Sequence, residues 1–293
     1  MAKPDILAIL VLYRRSLEES ETFVSLRTIL QRRHDLAGSL RLLVYDNSPT
    51  THEVPPISID AHYISDTSNT GLARAYNVGL QLAVEGDSRW LLLLDQDTVL
   101  TEAYLEEAIT LAASVETQSD ASTSQGHFDA MVPKLVEGGM LLSPHLPLTL
   151  RHPKPIERAT YGVSTIELHP YNSGAVFRVS TLQSIHGFPE DFALDYLDHA
   201  TFRILQNNSG RIFVMRAVLE HQLSTNEANG LDGSAMSVRQ KNVLRAEHAF
   251  YRRYGTSREQ FYHHVRLIWR ACKALRAGSF RWGCLLLKTA ITP

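Results

Sequence analysis

Two carboxylates one residue apart, Asp95 and Asp97, follow a run of four leucines, Leu91 to Leu94. A run that is apolar at every position reads as a strand buried on both faces. The segment Asp95-Gln96-Asp97 therefore lies at a strand end, where two like charges repel and contribute little to folding. A divalent cation resolves that conflict, because Mg2+ or Mn2+ takes oxygen ligands and commonly shares one or two carboxylates with substrate phosphates. A second acidic pair, Asp195 and Asp198, has the spacing of one helical turn. His221 follows a strand-like run and precedes a polar loop. Each of these groups also has a plainer reading. Asp and Asn cap helices and turns, and a strand-end histidine is most often a surface residue.

The elements that must hold these groups alternate regularly. Strands are expected at Ile6 to Leu12, Leu40 to Tyr45, His62 to Ile64 and Trp90 to Leu94. Helices are expected at Ser20 to Arg32, where Phe23, Leu26, Ile29 and Leu30 share a face, at Leu72 to Val84, and from Thr101 to about Val115. Apolar strands separated by helices predict an α/β fold with a mostly parallel sheet covered on both sides. Further on, strands are expected at Ala130 to Val136, Ala175 to Val179 and Arg211 to Val218, and a helix at Asp195 to Gln206. Residues 117–125 read as a solvated loop. Residues 143–157, with Pro144, Pro147, Pro153 and Pro155, read as an irregular excursion of the kind that carries specificity. From Val238 the chain reads as helical.

In an open parallel sheet, ligands bind beyond the carboxyl ends of the strands. Those ends carry Tyr13-Arg14-Arg15, Asp46-Asn47-Ser48, Asn69-Thr70-Gly71 and Asp95-Gln96-Asp97. Polar and acidic groups thus converge on one edge, although Asp46 taken alone reads equally as a turn residue.

Composition narrows the function. The chain has 293 residues, of which 44% are hydrophobic, and a net charge of −2. The apolar fraction excludes wholesale disorder, and the near-neutral charge gives no support for a nucleic-acid partner. Two cysteines, Cys272 and Cys284, cannot make a disulfide framework or a four-cysteine metal site. The early apolar run is too short to span a bilayer and lacks a small-residue cleavage site, so a cytoplasmic protein is expected. No P-loop, no Gly-x-Gly-x-x-Gly after the first strand, no Gly-x-Ser-x-Gly elbow and no His-Glu-x-x-His occur.

Taken in order, Asp46-Asn-Ser48, Asn69-x-Gly71-x-Ala73-x-Ala75-x-Asn77-x-Gly79 and Leu-Leu-Leu-Leu-Asp95-Gln-Asp97-Thr98 resemble family 2 glycosyltransferases of the GT-A fold. The later half agrees, with Asn172-Ser173-Gly174-Ala175, Gly187-Phe188, Phe192-Ala-Leu-Asp195-Tyr-Leu-Asp198 and Glu220-His221. The Asp-Gln-Asp form and the Asn-x-Gly-x-Ala run look most like the bacterial rhamnosyltransferase branch. The resemblance spans roughly residues 5–225. It implies a GT-A-type, Rossmann-like sheet flanked by helices, and a C-terminal helical extension follows it. The implied domains are 1–237, with a nucleotide-sugar half (1–100) and an acceptor half (101–237), and then 238–293.

The resemblance also assigns roles. Tyr13, Asp46, Asn69, Gly71, Asn77, Asp95, Gln96, Ser173 and Gly174 would contact the nucleotide-sugar. Asp97 would bind Mg2+ or Mn2+ directly, with Asp95 nearer the ribose and the metal's waters, and His221 would complete the metal or diphosphate site. Asp198 matches the catalytic base of an inverting transfer, and Asp195 would position the acceptor. Gly79 reads more simply as a helix-packing residue. Implied partners are a nucleotide-sugar donor, with dTDP-rhamnose suggested by the branch, and a glycan or lipid-linked glycan acceptor. One departure stands out. The acid normally found two positions after the base is absent from His199-Ala-Thr-Phe-Arg203, and the arginine comes one residue early.

Two other functional classes fit a parallel sheet with paired carboxylates. A nucleotidyltransferase would show a Gly-rich basic loop near its start, and Tyr13-Arg-Arg15 supplies the charge without the glycines. A non-catalytic sugar-nucleotide-binding module has no need of Asp198. At the far end, Phe261, Val265, Ile268, Cys272 and Leu275 recur at helical spacing between basic residues. Residues 258–293 hold seven basic residues and one acid, so the remainder of the chain is acidic. That tail suits a peripheral contact with an anionic bilayer from the cytoplasmic side, or packing with snorkelling arginines.

Overall fold

In the computed structural model, residues 6–53, 55, 59–114, 127–150, 154–221 and 238–291 are described. Every residue of β1 (Ile6–Leu12) is buried, which only a central strand covered on both faces allows. It pairs in parallel with β2 (Leu40–Asp46) on one side and β4 (Trp90–Asp95) on the other, and β2 pairs in parallel with β3 (Ala61–Ser65). The short β9 (Val176–Arg178) lies antiparallel between β4 and β6 (Ala130–Glu137). Strand β6 is parallel to β10 (Ile212–His221). Because β9 opposes both of its neighbours, all the long strands run the same way. The sheet order is β3-β2-β1-β4-β9-β6-β10-β5, with β5 (Thr98–Val99) at its end; β7 (Met140–Ser143) pairs with β6, and β8 (Gly162–Val163) with β10. This is the α/β, mostly parallel arrangement expected, with helices following it.

Helices flank the sheet: α1 (Glu21–Arg32), α2 (His34–Ala37), α3 (Leu72–Glu85), α4 (Glu102–Ser114), α5 (Val179–Ser184) and α6 (Leu197–Asn207). Ser20 caps α1, its hydroxyl accepting from the Phe23 amide at 3.2 Å. Gly79 on α3 packs against β1, where an added Cβ would come within 2.9 Å of Ile9.

The local reading differs from the structure where elements are very short or depend on distant partners. Strands β5, β7 and β8 span two to four residues and carry too little pattern to be seen. Strand β10 runs to His221, past the expected end at Val218. The expected loop at 117–125, and residues 151–153 of the proline-rich excursion, lie outside the described residues. Helix α6 begins at Leu197 and not at Asp195, because Tyr196 takes a left-handed φ of 64° and interrupts helical geometry. Asp195 and Asp198 therefore do not share a helical face, which corrects the expectation from their spacing.

The chain divides into two compact units, Met1–His145 with Pro155–Gln222, and Leu146–Lys154 with Leu223–Pro293. The second holds α7 (Val238–Tyr254), α8 (Ser257–Arg276) and α9 (Phe280–Ile291). Its core is Leu244, Leu267, Ala271, Ala274, Leu286 and Ala290. The stripe expected to be the packing or membrane face of α8 is not its core face. Glu259, His263, Leu267, Ala271 and Ala274 are buried, and Phe261, Val265, Ile268 and Cys272 are exposed. No helix among the described residues is long and apolar enough to cross a membrane.

Candidate active site

Strands β4 and β10 point the same way, so their carboxyl ends share one edge. The chain leaving β4 turns back as β5 and pairs antiparallel with the end of β10, setting His221 opposite Thr98. His221 Nδ1 then lies 3.0 Å from Thr98 Oγ1 and 3.9 Å from Asp97 Oδ1. Ligand atoms of Asp95, Asp97 and His221 all fall within 4.8 Å of one another. Two carboxylates and an imidazole suit a divalent cation with further positions left for water or phosphate.

The electrostatics test that fit. Asp97 Oδ1 is buried and has no hydrogen-bond partner. Burial, and then the charge of Asp95, push the Asp97 carboxyl up to about 6, with His221 opposing. An orphaned buried carboxylate oxygen aimed at an imidazole and a second carboxylate has the form of a cation site.

Asp95 is held more firmly. Its Oδ1 accepts from the Tyr76 hydroxyl at 3.3 Å, and its Oδ2 accepts from Ser173. Ser173 is held in place by Gly174, whose amide donates to Leu93 O at 2.9 Å and whose carbonyl accepts from Tyr104 at 2.6 Å. Gly174 has φ of 73°, and an added Cβ would meet Leu219 and Pro133 at 3.1 Å, so a side chain there would disturb the platform under Asp95. Tyr76 is fully buried, and its hydroxyl is pushed well up by burial and then by Asp95, Asp198 and Asp97. One phenol thus feels all three carboxylates. The sequence marks Tyr76 only as an apolar helix position, since its hydroxyl finds a partner through the fold.

The remaining residues expected at the site divide. Tyr13 is exposed, and its amide donates to Gln96 Oε1 at 2.8 Å, joining the end of β1 to the Asp-Gln-Asp turn. The Gln96 carbonyl accepts from the Ser20 hydroxyl at 2.9 Å. Asn69, with φ of 50°, donates its amide to Asp66 O at 3.0 Å and leads into Gly71. Gly71, with φ of 100°, opens α3, and the Ala193 carbonyl sits where a Cβ would be, 2.9 Å away. That carbonyl accepts from Leu72 N at 2.7 Å, so the glycine lets the segment before α6 close onto the end of α3. Asn77 has its amide engaged. Its Oδ1 accepts from Phe188 N at 2.8 Å, and its Nδ2 donates to Phe188 O and to Glu190, both at 3.0 Å. Asp46 is fully buried, accepting from Tyr63 at 2.6 Å and Ser48 N at 2.9 Å, with His52 Nδ1 at 2.7 Å. Burial opposes its ionisation, and the Ser48, Tyr63 and His52 bonds together hold its carboxyl below the usual range.

On the other side stands Asp198, in the first turn of α6. Its Oδ1 accepts from the His199 amide at 2.8 Å, and His199 Nδ1 is also 2.8 Å away. Burial opposes ionisation, but the histidine contacts outweigh it and the carboxyl lies below its ordinary value. Rings of Tyr196, His169 and Tyr171 surround His199 at 4.8, 5.5 and 6.2 Å. Arg203 is buried and pairs with Glu167 at 2.7 Å. The acid missing from α6 is thus replaced, as a partner for this arginine, by one from the segment before β9. No local spacing signals Glu167.

Residues 31–132 match the family described as glycosyl transferase family 2. The match supports a family 2 glycosyltransferase. It takes in the end of α1 through β6 and so includes Asp46, Asn69, Gly71, Asp95 and Asp97. No curated protein matches the chain significantly. Among solved structures, a variant of a Drosophila β1,4-galactosyltransferase 7 in complex with manganese, UDP-galactose and xylobiose is 12% identical, covering 81% of this chain and 79% of its own at a TM-score of 0.41. A CMP:2-keto-3-deoxy-manno-octonic acid synthetase complexed with CTP is 10% identical, covering 73% of this chain and 90% of its own at 0.40. Likenesses at these scores specify nothing about the site.

Proposed function

We propose that the protein is an inverting, metal-dependent glycosyltransferase that moves a sugar from a nucleotide-sugar to a hydroxyl of a glycan or lipid-linked glycan. The observation that carries the reading is the orphaned, buried Oδ1 of Asp97, set with Asp95 and His221 at the edge where the parallel strands end. Asp97, Asp95 and His221 would hold Mg2+ or Mn2+, which when bound neutralises charge on the departing nucleoside diphosphate. Tyr76 and Ser173 hold the Asp95 carboxylate in orientation. Asp198 takes the proton of the acceptor hydroxyl as that oxygen attacks the anomeric carbon from the face opposite the diphosphate. His199 fixes the carboxylate's orientation, and it stabilises the ionised form that a base requires.

For the donor, the Asp-Gln-Asp and Asn-x-Gly-x-Ala motifs favour rhamnose from dTDP-rhamnose, and for the acceptor a bacterial cell-surface polysaccharide or glycolipid. Asp46 lies at the strand end next to the expected base pocket, with Tyr63 and His52 as its present partners. The test is a thermal-shift panel of nucleoside diphosphates with and without Mn2+ or Mg2+, followed by donor-hydrolysis assays on the sugars of the base that binds. A cation-dependent shift with dTDP, and hydrolysis of dTDP-rhamnose, are expected. Stabilisation that is the same without a divalent cation would overturn the metal reading, and a preference for another base would overturn the donor.

A further inference from the structure

The helical unit carries a cleft that the proposed reaction does not use. Helices α7 and α9 line a cavity of about 650 Å3, a volume in the range of small-ligand sites. Lys241, Arg245 and Arg252 face it from α7, and Arg281 and Lys288 from α9, with no carboxylate among the lining residues. Residues 238–291 hold twelve basic and two acidic residues, and both acids are engaged elsewhere. Glu247 pairs with Arg270 at 2.7 Å, and Glu259 closes the capping box of α8 with Thr256. Lys241, Arg245 and Arg281 bring like charge to one cavity whose lining holds no carboxylate, a setting that suits an anion.

The rest of the lining narrows the ligand. Leu244, Ala249 and Leu285 interrupt the cationic wall with hydrocarbon, which a bare polyanion does not need and an amphiphile does. The same unit exposes a second apolar feature. Phe261, Val265, Ile268 and Trp269 lie on one outward stripe of α8, each more than a third exposed, and Lys273 sits 5.6 Å from the Trp269 ring. A helix with such a stripe between basic side chains suits a bilayer surface.

We infer that the α7–α9 cleft is a phosphate-binding site for an anionic phospholipid headgroup, which seats the helical unit on a membrane surface. The phosphate oxygens accept from the arginine and lysine side chains, and the upper acyl chain lies against Leu244 and Leu285.

The experiment is co-sedimentation of the full chain with phosphatidylcholine vesicles, with and without phosphatidylglycerol. It compares the wild type with two charge-matched variants. One is K241Q/R245Q/R281Q, in the cleft. The other is R258Q/K273Q/R276Q, outside it. Unchanged helicity and nucleotide-induced thermal shifts verify folding of both. Binding only to the anionic vesicles is expected, falling on the order of 100-fold in the cleft variant and less than about tenfold in the other. Equal losses in the two variants would reduce the effect to general charge, and absence of wild-type vesicle binding would overturn the proposal. A separate titration with inorganic pyrophosphate distinguishes the source. Protection of α7 and α9 amides by pyrophosphate without any vesicle binding would make the cleft a site for a free phosphate compound and overturn the lipid assignment.

Discussion

The sheet edge and the helical unit are electrostatic opposites. Asp95 and Asp97 crowd at the ends of buried strands, whereas Lys241, Arg245, Arg252, Arg281 and Lys288 crowd around a cleft between helices. The near-neutral total charge of −2 conceals both. In each region charges of one sign are gathered in one place, which favours a ligand of the other sign. The two also respond to pH in opposite senses. At the sheet edge, the Asp97 carboxyl is pushed up to about 6 by burial and Asp95. In the helical unit, the buried His263 is pushed down to about 3 by burial and then by His248, His264, Arg270 and Arg266, although Glu247 Oε1 lies 3.7 Å away.

The largest expected effect separates chemistry from binding at the sheet edge. Asp198→Asn should lower transfer by about 10²- to 10⁴-fold with donor affinity, measured by calorimetry, within a few-fold of wild type. Turnover near wild type would remove the base from the scheme.

Next comes the acid limb of the comparison. A histidine whose folded pKa is depressed contributes stability that is present above its unfolded pKa of about 6.5 and is lost as pH falls towards 3. The loss at His263 is on the order of 5 kcal/mol at the acid limit. Urea unfolding followed by tryptophan fluorescence, with Trp269 and Trp282 reporting on the helical unit, should show this loss between pH 7 and pH 4. H263Q should flatten it, and an equal slope in the variant would break the contrast.

At Asp97 the sign reverses. A carboxyl with a raised folded pKa favours the fold below about 4, and its contribution disappears as pH rises through 6, leaving a cost of about 3 kcal/mol at pH 7.5 without a cation. Asp97→Asn should therefore stabilise the cation-free protein at pH 7.5 while abolishing stabilisation by Mn2+. A destabilised variant that still responds to Mn2+ would place the cation elsewhere. The smallest effect is at Tyr76. Tyr76→Phe removes one hydrogen bond to Asp95 and should weaken cation-dependent nucleotide binding by about three- to tenfold, corresponding to roughly 1 kcal/mol. A loss confined to folding stability would make the hydroxyl a core group only.

Much of this fold is legible residue by residue. The strand expected at Ile6 to Leu12 has those bounds, and those expected at Leu40 to Tyr45 and Trp90 to Leu94 each extend one residue, to Asp46 and Asp95. Burial on both faces leaves an unbroken apolar run, which is a local signal. The site is legible only in part. Asp95 and Asp97 stand out because carboxylates after four leucines need an explanation. Tyr76, His199 and Glu167 do not stand out, because a phenol, an imidazole or a carboxylate acquires its role from a partner brought by another element. Asn77 fits a motif, yet its amide is spent on Phe188 and Glu190, a fate that spacing does not reveal.

The sequence by itself determined the alternation of buried strands and amphipathic helices, the polar turns after the strands, and the separation of an acidic body from a basic tail. These follow from side-chain hydrophobicity and charge, which are properties of each residue and its near neighbours. Tertiary structure decided which of the turns meet. His221 reaches Asp97 because β5 pairs with the end of β10, joining residues 123 positions apart. Asp195 leaves the face of Asp198 because Tyr196 turns left-handed. The cationic cleft exists because α7 and α9 both pack on α8, so that side chains from each line one cavity. The physical reason is common to the first and the third. Register and packing are settled by summed long-range contacts, and no window of sequence contains both partners.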